Sequence, residues 1–308
     1  MARAPALGHR FESDILHYER RNHAGRINVT EEYKSFCDSK GIKFQMDDNV
    51  KSYDDTTLFC PAGMQQFKSK FKDLSYKGTI SNIQSCLRLN DIEEIGDGTH
   101  LLYFNMIGLF SFRELSLSET IDFWIEFLNK IGIIPDYVTI HPNKLNWGEW
   151  YKKHNVEIRI DEECKWTDGE IGGYCTEFYK NGIEIGNIVN TMDNCIDVGF
   201  GLERIEMVLN GKGKSKEETL TQTILKIIES GFKPTYNKQG SLLRRLLRIC
   251  YLQNIEINHQ YYLDEIKRQE RILEKWNRLK DKHKDKSKDW WWNTHGIDIN
   301  QIEDGDII

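Results

Sequence analysis

Ten residues, Leu101-Leu-Tyr-Phe-Asn-Met-Ile-Gly-Leu-Phe110, constrain the fold of this chain more than any other segment. Only Asn105 and Gly108 interrupt the apolar run, so both of its faces need cover. It is too long for a turn and too aromatic for a loop. It reads as a central strand, although periodicity alone leaves a buried helix open. Upstream stand Ile83-Gln-Ser-Cys-Leu-Arg88, a polar turn from Asn90 to Gly98, and His100. The pair predicts a hairpin with Arg88 near the end of its first strand and Phe104 on its second. An arginine suits a phosphate or carboxylate and an aromatic face suits a base. An ordinary hairpin, with Arg88 exposed and Phe104 in the core, explains this segment alone at least as well.

A second segment, Cys195-Ile-Asp-Val-Gly-Phe-Gly-Leu-Glu-Arg204, reads as a short strand, a glycine turn and a helix carrying Glu203 and Arg204 in its first turn. Gly199 and Gly201 permit close approach of a ligand or a neighbouring strand. It is a poor dinucleotide fingerprint, because Arg204 stands where a third glycine belongs. An always-charged, planar guanidinium there suits a triphosphate. A tight strand-to-helix turn is the plainer alternative.

Around these segments the chain divides into three zones: an extension over 1–29, a mixed helix and strand region over 30–210, and a helical region over 211–308. The extension is polar and rich in Arg and His, and is expected to be loosely held. Thr30 is expected to cap a short helix ending near Gly41. Ser116 and Glu119 form a capping-box pair before Ile121, Trp124, Ile125 and Leu128, with Gly132 closing that helix. Ser215 and Glu218 form another. Later, Leu263, Ile266, Leu273, Trp276 and Leu279 line one helical face, with Asp264–Arg268 and Glu274–Arg278 spaced for ion pairs on the other. Trp290-Trp-Trp292 opens a short final element.

The formal charge of −6 is distributed unevenly. Residues 211–290 hold 19 Lys and Arg against 11 Asp and Glu, whereas residues 1–210 hold 23 against 33. A basic C-terminal module suggests an anionic partner, phosphate backbone first, with solvated helix faces as the even alternative. The seven cysteines include no Cys-x-x-Cys pair, and are read as reduced thiols of a cytoplasmic protein, with no metal or disulfide framework. No stretch approaches the roughly 20 apolar residues of a membrane span, and no apolar signal-peptide core is expected.

Taken in order, these segments resemble the signatures of the alanyl-tRNA synthetase family. Leu58-Phe-Cys-Pro-Ala-Gly-Met-Gln-Gln-Phe-Lys68 is similar to its first signature. Cys86-Leu-Arg88, Asn90–Gly96 and Tyr103–Phe112 are similar to the second. Lys165-Trp166, Tyr174–Tyr179 and Glu184–Val189 resemble its amino-acid pocket. Asp197-Val-Gly-Phe-Gly-Leu-Glu-Arg-Ile205 matches the third nearly residue for residue. The match is strong over about 31–210 and weaker through Gly240–Arg248 and Asn293–Gly296.

The resemblance implies an α+β, class II synthetase fold: an antiparallel sheet flanked by helices, followed by an α-helical domain. It implies ATP and Mg2+, and activation of alanine or another small amino acid for transfer to the acceptor stem of a tRNA. Arg88 and Arg204 would be catalytic. Arg88, Phe104, Met106, Glu203 and Arg204 would hold ATP, and Trp166, Asn187, Val189 and Asp197 the amino acid. Arg244, Arg245, Arg248, Tyr236 and Asn293 would face tRNA.

The chain also departs from the family pattern. The second-signature loop is shortened and lacks its Gly-Gly-Lys, Leu89 alone standing there. The doubled Gly-Pro-Cys run is reduced to Gly172-Gly-Tyr-Cys175, and the tryptophan before Asn187 is Gly186. Tyr236 and Asn293 replace the asparagine and aspartate that read a G·U pair. The editing and C-terminal oligomerisation domains are expected to be absent. Two other readings therefore stay open: an adenylating ligase with a non-tRNA acceptor, and a non-catalytic paralogue that binds ATP or tRNA.

Overall fold

The computed structural model describes residues 21–22, 26–90 and 92–303, so most of the 1–29 extension lies outside the described residues. Contacts divide the chain into two compact units, the first ending at Ser215 and the second beginning at Lys216. Residues 211–215 stay with the first unit because Lys214 bridges Gly98. No helix among the described residues is long and apolar enough to cross a membrane.

In the first unit, β1 (Arg21–Asn22) and β2 (Arg26–Ile27) form a small antiparallel pair. Helix α1 (Val29–Ser39) follows, then β3 (Lys43–Asp47), α2 (Lys68–Lys72), β4 (Gly78–Leu87) and β5 (Tyr103–Phe112). Next come α3 (Leu117–Lys130), β6 (Tyr137–Ile140), α4 (Gly148–Lys152), β7 (Glu157–Ile160) and β8 (Lys165–Thr167). The unit closes with β9 (Gly172–Lys180), β10 (Ile183–Asn190), β11 (Cys195–Gly201) and α5 (Leu202–Asn210). Strands β3 to β11 form one sheet in the order β3-β4-β5-β11-β10-β9-β6-β7, with β8 pairing β9. The pairs from β4 to β6 are antiparallel, while β3·β4 and β6·β7 are parallel. The apolar run is thus an interior strand, and the expected α+β class holds.

Side chains alternate between the two faces of a strand, and this sheet uses the alternation to separate packing from chemistry. Ile83, Ile107, Leu109, Ile188, Val198 and Phe200 point to one face, where α1 and α3 cover them with Tyr33, Phe36, Trp124 and Phe127. Trp124 stacks on Phe200 at 4.1 Å between ring centroids. Truncating a buried aromatic of this kind to alanine costs roughly 3–5 kcal/mol. Helix α3 sits where its capping box places it: Ser116 N–H donates to Glu119 Oε2 at 2.8 Å, and Glu119 N–H to Ser116 Oγ at 3.2 Å. Gly132, at φ +84°, supplies the left-handed turn beyond its end.

The cap of α1 is Asn28, whose Oδ1 accepts from Glu31 N–H at 3.2 Å, not Thr30. Val29 is fully buried, so the apolar stripe Val29, Tyr33, Phe36, Cys37 begins one residue before the expected cap.

The second unit consists of α6 (Lys216–Glu229), α7 (Lys238–Leu252), α8 (Gln260–Leu279), α9 (Lys288–His295) and α10 (Ile299–Glu303). Helix α8 is rotated from its expected face. Leu263 and Leu273 are exposed, whereas Tyr262 and Glu265 are buried and Ile272, Trp276 and Leu279 pack on Trp291. The inward carboxylate explains the rotation. Glu265 accepts from Arg268 Nη1 at 2.9 Å and lies 3.9 Å from Arg248 Nε, while Asp264 accepts from Gln260.

Candidate active site

The other face of the sheet is covered at one end, where Phe67 and Phe71 pack on Phe110 and Phe112, and at the other its alternate residues meet in one cavity of about 320 Å³. Arg88 follows β4; Phe104 and Met106 come from β5; Asn187 and Val189 from β10; Asp197 from β11; Trp166 from β8; Glu203 and Arg204 from the start of α5. All nine line the cavity. Register accounts for the convergence. Cys86 is paired with Phe104, Gly201 with Met106, Gly199 with Asn187, and Asp197 with Val189, so one phase of the alternation runs across four strands. The glycines keep the floor low: a Cβ on Gly199 would stand 3.0 Å from Met106 Sδ, and one on Gly108 would stand 2.5 Å from Asn82 Oδ1.

Each charged group has a defined anchor. Arg88 Nε donates to Pro61 O at 2.8 Å, and the guanidinium lies 5.1 Å from the Phe104 ring centroid. Phe104 is therefore a cavity wall, not a core residue. Arg204 Nη1 donates to Glu184 O at 2.9 Å, with Glu184 Oε2 at 3.4 Å. Glu203 accepts from the backbone N–H and the Nδ2 of Asn105 at 2.9 and 3.0 Å, and Lys214 Nζ stands 3.9 Å away. Burial pushes the Glu203 carboxyl up. Asp197 is pushed up to about 7, by burial first and by the Asp168 carboxylate second, with Arg88 opposing. A buried carboxyl poised in this way is stabilised as an anion by any cation that enters.

Further groups at or beside the cavity were not singled out as site residues, although Glu177, Glu184 and Lys68 lie in segments that resemble the family signatures. Glu177 and Glu184 add two carboxylates, the first pushed up by burial and by the second. His100 reaches the rim with Nδ1 2.6 Å from Asp97 Oδ2 and Nε2 3.1 Å from Glu94 Oε2. Lys68, at the end of the first signature, bridges Asp54 and Asp168 at 3.1 and 3.0 Å and ties that signature to the turn after β8. The signal for Glu177 was the alternation Cys175, Glu177, Tyr179 along β9, which the pairing of Asn187 with Glu177 turns toward the cavity. Glu184 has no such signal, because a register irregularity between Glu184 and Gly186 breaks the alternation.

The residues expected to face tRNA all belong to the second unit. Arg245, Tyr236 and Asn293 are exposed, and Arg244 lies 4.2 Å over the Tyr236 ring. Arg248 is turned inward toward Glu265, and burial lowers its pKa. This corrects the expectation that its guanidinium is presented to phosphates, because the buried Glu265 carboxylate needs a cation.

Residues 28–187 match the model of the family described as tRNA synthetases class II (A). An alanine–tRNA ligase from Francisella tularensis subsp. tularensis is 29% identical over 293 residues, covering 70% of this chain and 34% of its own length. One from Rhodopirellula baltica is 33% identical over 226 residues, covering 59% and 24%. The chain spans about a third of the length of the curated relatives it matches. A solved pyrrolysyl tRNA synthetase from Desulfitobacterium hafniense is similar with a TM-score of 0.43 at 15% identity, covering 71% of this chain and 86% of that one.

Proposed function

The chain belongs to the class II (A) tRNA synthetases, and from that membership we propose that it uses ATP to activate alanine or another small amino acid and transfers it to tRNA. One observation carries the reading: Arg88, Phe104, Asp197 and Arg204 line a single cavity. Together they offer two phosphate-binding guanidinium groups, an aromatic face for a base and a carboxylate for an ammonium group.

In the first step, an oxygen of the amino-acid carboxylate attacks the α-phosphorus of ATP. The P–O bond to the β-phosphate breaks and pyrophosphate leaves. The carboxylate is already ionised at neutral pH, so no general base is required. Arg88 faces the negative charge that gathers at the α-phosphate, held for that task by Pro61 O. Phe104 offers its face to adenine, with Met106 beside it. Arg204, anchored on Glu184 O, reaches the terminal phosphates. Asp197 binds the α-ammonium group, and that charge offsets its burial. Trp166, Val189 and Asn187 bound the side-chain pocket. Catalysis is mainly positioning plus electrostatics.

Magnesium bound with ATP supplies charge neutralisation of the leaving pyrophosphate. Glu203 fits it, being a hard oxygen donor at the cavity wall whose carboxylate Asn105 already orients. The tRNA acceptor is supported by the family and by the basic balance of 211–290.

Amino-acid-dependent ATP–pyrophosphate exchange, followed by tRNA charging, tests both halves. Exchange with alanine supports activation. Folded protein that exchanges with none of the twenty amino acids overturns it. Exchange without charging transfers the weight to an acceptor other than tRNA.

A further inference from the structure

We propose that Cys164, Cys175 and Glu177 form a binding site for a zinc-class divalent metal ion, behind the pocket wall that carries Trp166 and Val189. The two sulfurs and a carboxylate oxygen all lie within 4.8 Å of one another. Cys175 Sγ is 3.8 Å from Glu177 Oε1. Tetrahedral zinc, with bonds of about 2.3 Å to sulfur and about 2.0–2.2 Å to oxygen, sets its ligand atoms about 3.5–3.8 Å apart. Side-chain rotations of about an ångström close the site around such an ion, with the backbone left in place.

The backbone brings the three together for a simple reason. Strand β8 runs antiparallel to β9 with Lys165 opposite Tyr174, so Cys164, just before β8, falls opposite Cys175. Cys175 N–H donates to Cys164 O at 3.0 Å. Glu177, two residues on, shares the face of Cys175. Both cysteines are buried, whereas Glu177 lines the cavity and gives the ion a way in. The hydrogen bonds already present orient the donors. Cys164 Sγ donates to Thr139 Oγ1 at 2.9 Å, and Thr139 and Tyr179 both donate to Glu177 Oε2 at 3.3 and 2.9 Å. That leaves Oε1 turned toward Cys175. Hydroxyl partners behind a ligand are the usual means of holding it in place.

The donor set selects the ion. Two thiolates exclude magnesium and calcium in favour of zinc, and three protein ligands leave a fourth position for water. Binding releases the two thiol protons. The consequence is mechanical: β8 is only three residues long and carries Trp166, and the ion staples it to β9. Metal binding stands independently of the proposed adenylation, while the effect on the amino-acid pocket rests on it.

The test is a cobalt(II) titration of the full, reduced chain, followed by thiolate-to-cobalt charge-transfer absorption, with zinc content measured by mass spectrometry. The expected result is a single cobalt ion per chain showing the thiolate band, displaced by zinc. Cys164→Ser and Cys175→Ser each abolish the band, and Glu177→Gln weakens binding by about 10–100-fold. Zinc should also raise the melting temperature of the wild-type chain. The serine variants are not needed for refutation: a wild-type chain that is folded by circular dichroism and shows no thiolate band overturns the site. So does a band that survives both serine substitutions.

Discussion

Arg88 Nε donates to the carbonyl oxygen of Pro61 at 2.8 Å. One edge of the guanidinium is thereby committed to the backbone of the first signature, and the opposite edge serves the cavity that Arg88 lines. A lysine has no second edge, so it can anchor or act but not both. Arg88→Lys should therefore lose pyrophosphate exchange about as fully as Arg88→Ala, each by ~10²–10³ in kcat. Exchange kinetics on variants with unchanged melting curves check this. A lysine variant within tenfold of wild type shows that charge alone suffices.

Asp197 gives a prediction in pH. Its carboxyl is pushed up to about 7 by burial and Asp168, against about 3.9 in an unfolded chain. The folded state keeps a proton that the unfolded state has lost, so stability falls as pH rises from about 4 to about 7. Asp197→Asn should accordingly raise stability at pH 8, by on the order of 2–4 kcal/mol, while abolishing exchange. In the wild type, the amino-acid KM should rise as pH drops below 7, because a neutral carboxyl does not attract an ammonium group. Urea unfolding at two pH values and the KM profile are the measurements. A less stable asparagine variant contradicts the assignment.

Gly186 stands where the family has a tryptophan. A Cβ there would meet Phe200 Cγ at 2.3 Å and Gly199 O at 2.7 Å, and Phe200 is itself stacked on Trp124. Gly186→Ala should destabilise by about 1–3 kcal/mol through overpacking. Restoring the tryptophan should do no better. Denaturant midpoints decide this, and an alanine variant as stable as the wild type contradicts the close packing of β10 on β11.

Selectivity follows from the pocket walls. On the proposed function, Trp166 and Val189 would exclude large side chains by bulk, but a missing methyl group is worth only about 1–3 kcal/mol, and an added hydroxyl is rejected no more strongly. Glycine or serine should be activated within ~10³ of alanine. Exchange rates for the three amino acids test it, and discrimination beyond ~10⁴ against both points to a polar pocket group, for which Glu177 is the first candidate.

For the acceptor, Tyr236 and Asn293 are exposed but do not provide the amide and carboxylate pair that the family presents to a G·U pair. Replacing that pair by G·C in an alanine tRNA should lower charging by less than tenfold, under about 1.4 kcal/mol. Side-by-side charging at fixed ionic strength checks this. A loss above a hundredfold means that other residues read the pair. Arg245→Ala should weaken RNA binding and reduce its salt dependence more than Arg248→Ala, since Arg248 is paired with Glu265.

By itself, the sequence determined the elements whose cause is local. The capping box at Ser116 and Glu119, the left-handed stop at Gly132, the strand, glycine turn and helix from Cys195 to Asn210, and the buried strand ending at Phe112 depend on neighbouring residues or on hydrophobic period. The four signatures supplied the candidate site residues from Arg88 to Arg204. What only the tertiary structure decided is which of two faces each residue occupies relative to partners distant in sequence. Phe104 reads as core or as cavity wall until its pairing with Cys86 and the position of Arg88 are known. Glu184 enters the cavity only because a register irregularity turns it there. Arg248 looked free on its helix, and its direction was set by Glu265, a carboxylate whose burial no local pattern announces. Cys164 and Cys175 became neighbours only through the register of β8 on β9. Local propensity and period act within a turn or two of chain, whereas strand register and buried charge pairs are settled by residues tens of positions apart. These are therefore visible only once the chain has folded.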